Sequence, residues 1–330
     1  MVKYIIYIGG ILVGKELDEK VLKEVFLYDL IKDKNEFYHS DNDLAYYTSA
    51  STLYSILDNK EVWLRSTMCM NDYQEIRYAA SKLKEILRKN NKKIFNQFIE
   101  VLEQILSGKI TGIRDILNDI LTNIAGGLYL HTYIMCFTEH DDSIFPDGNL
   151  QMFNSYGRGN GACLIFDKNK LQELDLPIYK VHYSNEKIIE NKLTQLLNRL
   201  DEKAKELRGT DVNEIINYLK LFFISLITTT KHPGFWQENE WRLIINDRLI
   251  QYDKNFKNVQ NEKVKCVNDI PQIIKTLKLN GYEQLLKKII LEPRYTMAAE
   301  ALAIIKMLKD SWNIDKPADI IRVSEIPVRR

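Results

Sequence analysis

The stretch "GFWQENEWRLII", residues 234–245, sets Glu238, Glu240 and Arg242 two residues apart. Read as a strand, it has a period of two, so these three share one face while Trp241, Leu243 and Ile245 take the other. Residues two apart on a strand are separated by roughly 6.6 Å, close enough for the carboxylates to raise each other's pKa and for Arg242 to hold one ionised. That arrangement suits acid–base chemistry or the grip of a ribose. The competing reading is a solvated sheet face with an ordinary Glu–Arg pair.

Other polar groups stand at the ends of expected elements. Tyr46, Tyr47, Thr48 and Ser49, in "LAYYTSAS", close a strand and open a helix; the plain alternative puts one tyrosine in the core and the other at the sheet surface. Asp72 with Glu75 three residues on reads as a helix cap, and otherwise Asn71, Asp72 and Glu75 line a pocket. Glu139, His140, Asp141 and Asp142 carry metal-ligand chemistry, but consecutive loop residues seldom converge on one ion, so a solvated loop is the better reading and no metal site is expected. In "GRGNG", residues 157–161, closely spaced glycines would let backbone N–H groups approach a phosphate with Arg158 beside it. Neither the lysine nor the following helix of a phosphate loop is present, so it is first a turn. His131 and His232 are read as structural.

Periodicity and caps give the elements that hold these residues. "MVKYIIYIGGILVGK" reads as a hairpin turning at Gly9-Gly10, too short an apolar run and without a cleavage site for a signal peptide. Val21, Leu22, Val25, Phe26, Leu30 and Ile31 recur at helical spacing. Residues 44–66 read as strand, capped helix and strand, the last ending at Ser66. Two helices are expected over about 73–125, broken near Ser107-Gly108, and a long helical region over about 185–230 ends at Pro233-Gly234. Apolar strands end near Glu139 and Asp167, and an amphipathic helix spans 297–312 before the final "DIIRVSEIPVRR". This pattern predicts an α+β fold with mixed or antiparallel central sheets. The organisation expected is an N-terminal hairpin and helix extension over 1–43, then one α+β domain over 44–330 with helical insertions at about 73–125 and 185–230.

The 330 residues are 45% hydrophobic with a formal net charge of +1, which gives a globular chain no global reason to bind nucleic acid or anionic lipid. Cys69, Cys136, Cys163 and Cys266 are scattered, without metal-ligand or disulfide-framework spacing, which fits a reducing cytoplasm; Cys136 and Cys163 sit in apolar runs and are expected in the core.

Four stretches in this order, "LAYYTSASTLYSILDNKEVWLRSTMCMNDYQE", "IMCFTEHDDS…LQMFNSYGRGNGACLIFD", "KHPGFWQENEWRLI" and "IKKIILEP…SEIPVRR", resemble the bacterial domain-of-unknown-function family 2971 across roughly residues 44–328. More distantly, the order of strand-helix-strand, hydroxyl or aromatic position and late-strand glutamate is similar to ADP-ribosyltransferase-like proteins. That likeness implies an ADP-ribosyltransferase-like fold and an NAD-consuming enzyme, a transferase or NAD glycohydrolase, as a toxin or phage-defence effector. It implies that Tyr46, Tyr47, Thr48, Ser49, Ser66, Tyr156 and Arg242 hold the nucleotide. It further implies that Glu240, or in its place Glu238, binds the nicotinamide ribose and stabilises the cationic transition state. Where many relatives have His before Tyr-Thr-Ser, this chain has Tyr46, which can donate a hydrogen bond but not a positive charge. The implied partners are a nucleotide and a protein or nucleic-acid acceptor, with no membrane. Two other readings stand beside it: a non-catalytic sensor or interaction module presenting its helical segments, and a metal-dependent phosphodiester hydrolase built on Asp141, Asp142, Glu238 and Glu240.

Overall fold

The structure, a computed structural model, describes residues 9–69, 73–89, 92–125, 131–157, 159–174, 176–247, 261–267, 270–279, 281, 283–293 and 297–327. In chain order the helices are α1 (Gly9–Phe26), α2 (Tyr28–His39), α3 (Ala50–Asn59), α4 (Tyr73–Arg88), α5 (Lys93–Leu106), α6 (Ile113–Ala125), the single turn α7 (Leu150–Met152), α8 (Lys168–Glu173), α9 (Glu186–Glu202), α10 (Ala204–Leu207), α11 (Val212–Thr228) and α12 (Met297–Trp312). The strands are β1 (Asp43–Ser49), β2 (Glu61–Ser66), β3 (Thr132–His140), β4 (Gly161–Phe166), β5 (Ile178–Lys180), β6 (His182–Tyr183), β7 (Thr230–Lys231), β8 (Glu240–Asn246), β9 (Asn261–Val267), β10 (Ile270–Lys278), β11 (Leu286–Leu291) and β12 (Ile321–Val323). The fold is α+β, with a mixed, mostly antiparallel sheet. Among the described residues no helix is long and apolar enough to cross a membrane.

Where the sequence suggests one domain from residue 44 onward, the chain divides into two compact units. The first is Met1–Lys32, Asn71–Leu130 and His182–Gly234. It gathers both helical segments and α1 around one apolar core that includes Phe26, Leu83, Phe98, Leu193 and Phe223. The reason lies in stripes such as Ile94, Phe95, Phe98, Ile99, Leu102, Ile105 and Leu106 on α5, which must be buried against other helices. Segment 73–125 forms three helices, not two, because the chain also breaks before α5, where Lys92 takes a left-handed φ of 63°. The turn expected at Gly9-Gly10 is corrected as well: both glycines open α1.

The second unit is Asp33–Met70, His131–Val181 and Phe235–Arg330. One face of its large sheet packs Leu44, Met135, Phe137, Leu164, Trp241 and Leu243 beneath residues of α3 and α12. On the other face, Met152 and Phe153 cover Ala45, Tyr47, Cys163 and Ile290. The hairpin of β9 and β10 was missed at the sequence level; alternation of Val264 and Cys266 with lysines was its one visible signal.

The pairing of β3 makes this sheet a fork. Thr138 pairs with Glu240 of β8 and also with Ala45 of β1, while Ile134 pairs with Ile244 of β8 and also with Arg65 of β2. A residue has one partner per edge, so β8 takes one edge of β3 whereas β1 and β2 share the other. β1 holds Thr138–His140 and β2 holds Tyr133–Ile134; between them Met135, Cys136 and Phe137 pair with β8 alone. Past the junction β1 runs on beside β4, and β2 lies along β10.

Candidate functional site

All seven residues of β8 are buried, because the strand lies between β3 and β5. The expected solvated face is therefore corrected: Glu240 is 3% exposed and Arg242 is fully buried. Arg242 donates from Nε to Glu240 Oε1 at 2.6 Å and from a terminal nitrogen to Oε2 at 3.1 Å. Both carboxylate oxygens are thus engaged by a guanidinium, the strong two-pronged geometry, and neither charge faces the interior uncompensated.

Glu238 does not share the strand. It ends the 3-10 turn Pro233–Glu238, and Asn239, at φ 41°, swings the chain into β8. Asparagine tolerates the left-handed region, which explains how a non-glycine residue makes this corner. Glu238 is half-buried, and its Oε2 accepts from the Tyr156 hydroxyl at 3.3 Å. Tyr156 belongs to the π-helical turn Phe153–Gly157. Phe235 and Trp236, in the turn that Glu238 ends, are exposed, Trp236 at 65%.

The other face of β8 is held by Trp241. Its ring lies 4.6 Å from that of Phe37, and its indole N–H donates to Glu139 Oε2 at 3.0 Å. Glu139 also accepts from Asn42 at 2.7 Å and pairs with Lys180 at 3.4 Å. Burial raises the pKa of Glu139, but the hydrogen bonds from Trp241 and Asn42, together with the Lys180 charge, outweigh it and hold the carboxyl below the ordinary 4.5. A depressed folded pKa gives stability that is complete above the unfolded value and lost as pH falls through the folded one. Glu139→Gln is therefore expected to lower the melting temperature near neutrality and to flatten its fall below about pH 4.5, so that the variant and wild type converge in acid.

The register separates the residues expected to share one pocket. Ala45 is opposite Thr138, which is opposite Glu240, so those three share a face; Tyr46, next along β1, is on the other. Tyr46 is half-buried, with its ring 6.3 Å from that of Phe137. Burial pushes its hydroxyl pKa up, against a hydrogen bond with Thr48; Cys136 and Arg65 are its electrostatic neighbours, which places it beside the fork. Tyr47, on the Glu240 face, is buried edge-on against Phe153 and accepts from the Asn149 backbone N–H at 2.8 Å. Thr48 is buried, and Ser49 caps α3 by accepting from the Thr52 N–H. Ser66 ends β2 where that strand joins Tyr133 of β3. Sequence reasoning missed Arg65, which donates to Gln272 and to the Cys69 carbonyl, and it placed in the core Cys136, which is half-buried at the fork. Cys163 is buried, as expected.

The glycine turn does not present itself as a phosphate cradle. The Gly161 N–H donates to Glu292 Oε2 at 2.5 Å, so the anion held there is the protein's own carboxylate. A Cβ at Gly161 would lie 2.6 Å from that oxygen and 2.8 Å from the Gly157 Cα. Gly161→Ala should therefore destabilise by roughly 1–3 kcal/mol, the usual range for overpacking, read as a lowered urea midpoint. Arg158, Asn71, Asp72 and the Glu75 side chain lie outside the described residues. Among the described residues no three of His, Cys, Asp and Glu converge as metal ligands. Asp142 pairs with Lys288, Asp141 accepts from Ser143, and Glu240 is taken by Arg242.

No curated protein and no solved structure matches the chain. Residues 152–243 match the family model described as "Protein of unknown function (DUF2971)". That span holds Tyr156, the turn bearing Glu238, and Glu240 with Arg242, whereas the fork's other arms, β1 and β2, lie outside it. Over residues 152–243, then, the chain is similar to the family described as Protein of unknown function (DUF2971).

Proposed function

We propose that this chain is an NAD-consuming enzyme of the ADP-ribosyltransferase-like type, a transferase or NAD glycohydrolase, with Glu238 as its working carboxylate. The observation that carries the reading is the contrast between the two glutamates at the entry to β8. Glu240 is buried and neutralised by Arg242, while Glu238 is half-exposed and oriented by Tyr156.

In the proposed reaction the bond between the ribose anomeric carbon and nicotinamide breaks, and nicotinamide leaves with the bonding pair as a neutral base. Positive charge develops on the sugar, and a fixed carboxylate stabilises it. Water or an acceptor nucleophile then bonds to that carbon and gives up a proton. A carboxylate already paired to a guanidinium offers little further charge, so the part assigned to Glu240 and Arg242 is to fix the corner from which Glu238 projects. Tyr46, Ser49 and Ser66, on the two arms of the fork, are assigned to the nucleotide; Tyr47 and Thr48 serve packing. The setting proposed is the cytoplasm, as a toxin or phage-defence effector with a protein or nucleic-acid acceptor; four free cysteines support a reducing compartment.

Purified protein titrated with NAD is expected to melt at a higher temperature and to show quenched Trp236 fluorescence, the quench being lost in Trp236→Phe. No thermal shift and no quench at millimolar NAD would overturn the reading. The burial of Glu240 favours one other reading, a non-catalytic interaction module. In that case charge reversals on exposed helical residues of the first unit abolish partner capture, and Glu238→Gln changes nothing.

A further inference from the structure

The helical unit contains a cavity of about 390 Å³ between α4, α5 and α6. Leu83 and Leu87 of α4, Phe95 at the start of α5 and Leu121 of α6 form its apolar wall. Three cations line it, Lys84, Arg88 and Lys92, and among the described residues none that lines it is a carboxylate.

The sequence builds this composition from two offset stripes on α4. Leu83 and Leu87 belong to the core stripe, while Ala80, Lys84 and Arg88 follow at spacing four along its edge. Ala80 leaves space where a longer side chain would fill it, and the two cations beyond it lie on the same side. Among the described residues neither Lys84 nor Arg88 forms an ion pair; the salt bridge on this part of α4 joins Lys82 to Glu85 instead. Lys92 adds its ammonium 5.9 Å from the centre of the buried Phe95 ring, and the Arg114 guanidinium is 5.8 Å from the same ring. The first turn of α5 has no side-chain cap, so its backbone N–H groups add partial positive charge at the same end.

An apolar wall under one sign of charge selects a ligand that is apolar at one end and anionic at the other. The volume falls within the range of small-molecule sites, about 300–1,000 Å³. We propose that this cavity binds a single-chain anionic amphiphile of the fatty-carboxylate class, tail against Leu83, Leu87, Phe95 and Leu121, carboxylate among Lys84, Arg88 and Lys92. The site is independent of the NAD reading and stands or falls without it.

The test is calorimetric titration of the full chain with dodecanoate below its micelle concentration. Dodecyltrimethylammonium and acetate serve as probes lacking the anionic head and the tail respectively. Dodecanoate should bind saturably with one site per chain, and the other two should not. The double variant Lys84→Glu/Arg88→Glu, at exposed positions, should weaken binding by about tenfold or more while keeping the wild-type circular dichroism spectrum. Thr122→Trp, at the cavity wall on α6, should weaken it by filling the space. Equal binding of the cationic amphiphile, no loss on charge reversal, or saturable binding of an acidic amphipathic peptide with none of dodecanoate would each overturn the assignment.

Discussion

Arg242→Ala is expected to cost roughly 3–5 kcal/mol of folding stability, because it removes the guanidinium that engages both oxygens of the buried Glu240 carboxylate. Few single changes in the chain should cost more, since a domain's whole stability is only about 5–15 kcal/mol. Glu240 is 3% exposed and both its oxygens accept from that one guanidinium, so no water replaces the lost donors without opening β8. Glu240→Gln should destabilise as well, by removing the negative charge that both prongs of the Arg242 guanidinium engage. Replacing both together, as Glu240→Leu/Arg242→Met, should cost much less than either alone, since buried pairs exchanged for apolar residues of similar volume are often neutral. Urea unfolding followed by tryptophan fluorescence gives the three midpoints. A single-variant cost below about 1 kcal/mol would show that the pair is solvated, as on an exposed face.

Glu238→Gln should have the largest effect on activity and almost none on stability. In the proposed reaction it removes the carboxylate assigned to the developing positive charge, a loss that typically slows such reactions by about 10²–10³-fold. The side chain is half-buried in a turn and outside the sheet, so the urea midpoint should hold. Tyr156→Phe removes only the hydroxyl that orients this carboxylate and should slow nicotinamide release by roughly fivefold, the worth of about one hydrogen bond. If Glu238→Gln and wild type release nicotinamide at the same rate, Glu238 is not the working group.

Much of this was legible in the residues, and the rest failed for physical reasons. Alternation revealed β8, and the Ser49 cap and apolar spacing revealed α3, because both signals are local. The burial of the charged face of β8 was not legible, since Glu-x-Arg alternation looks alike whether water or protein covers it. The corner at Asn239 had a local cue, an asparagine between two glutamates after Pro-Gly, but the periodic pattern ran through it and masked it. The fork depends on β1 and β2 competing for one edge of β3, a long-range pairing with no sequence period. Likewise Glu292, which fills the glycine turn, comes from 131 residues away. The Gly9-Gly10 turn failed because glycine permits a turn without requiring one.

NAD cleavage by Glu238 is tested most directly by a time course of nicotinamide release from NAD by freshly expressed protein, alone and with phage-infected lysate as a source of activator or acceptor. Release should grow with enzyme concentration, and Glu238→Gln should all but abolish it. No nicotinamide above the protein-free control, in either condition and with the protein folded, would contradict the proposed reaction.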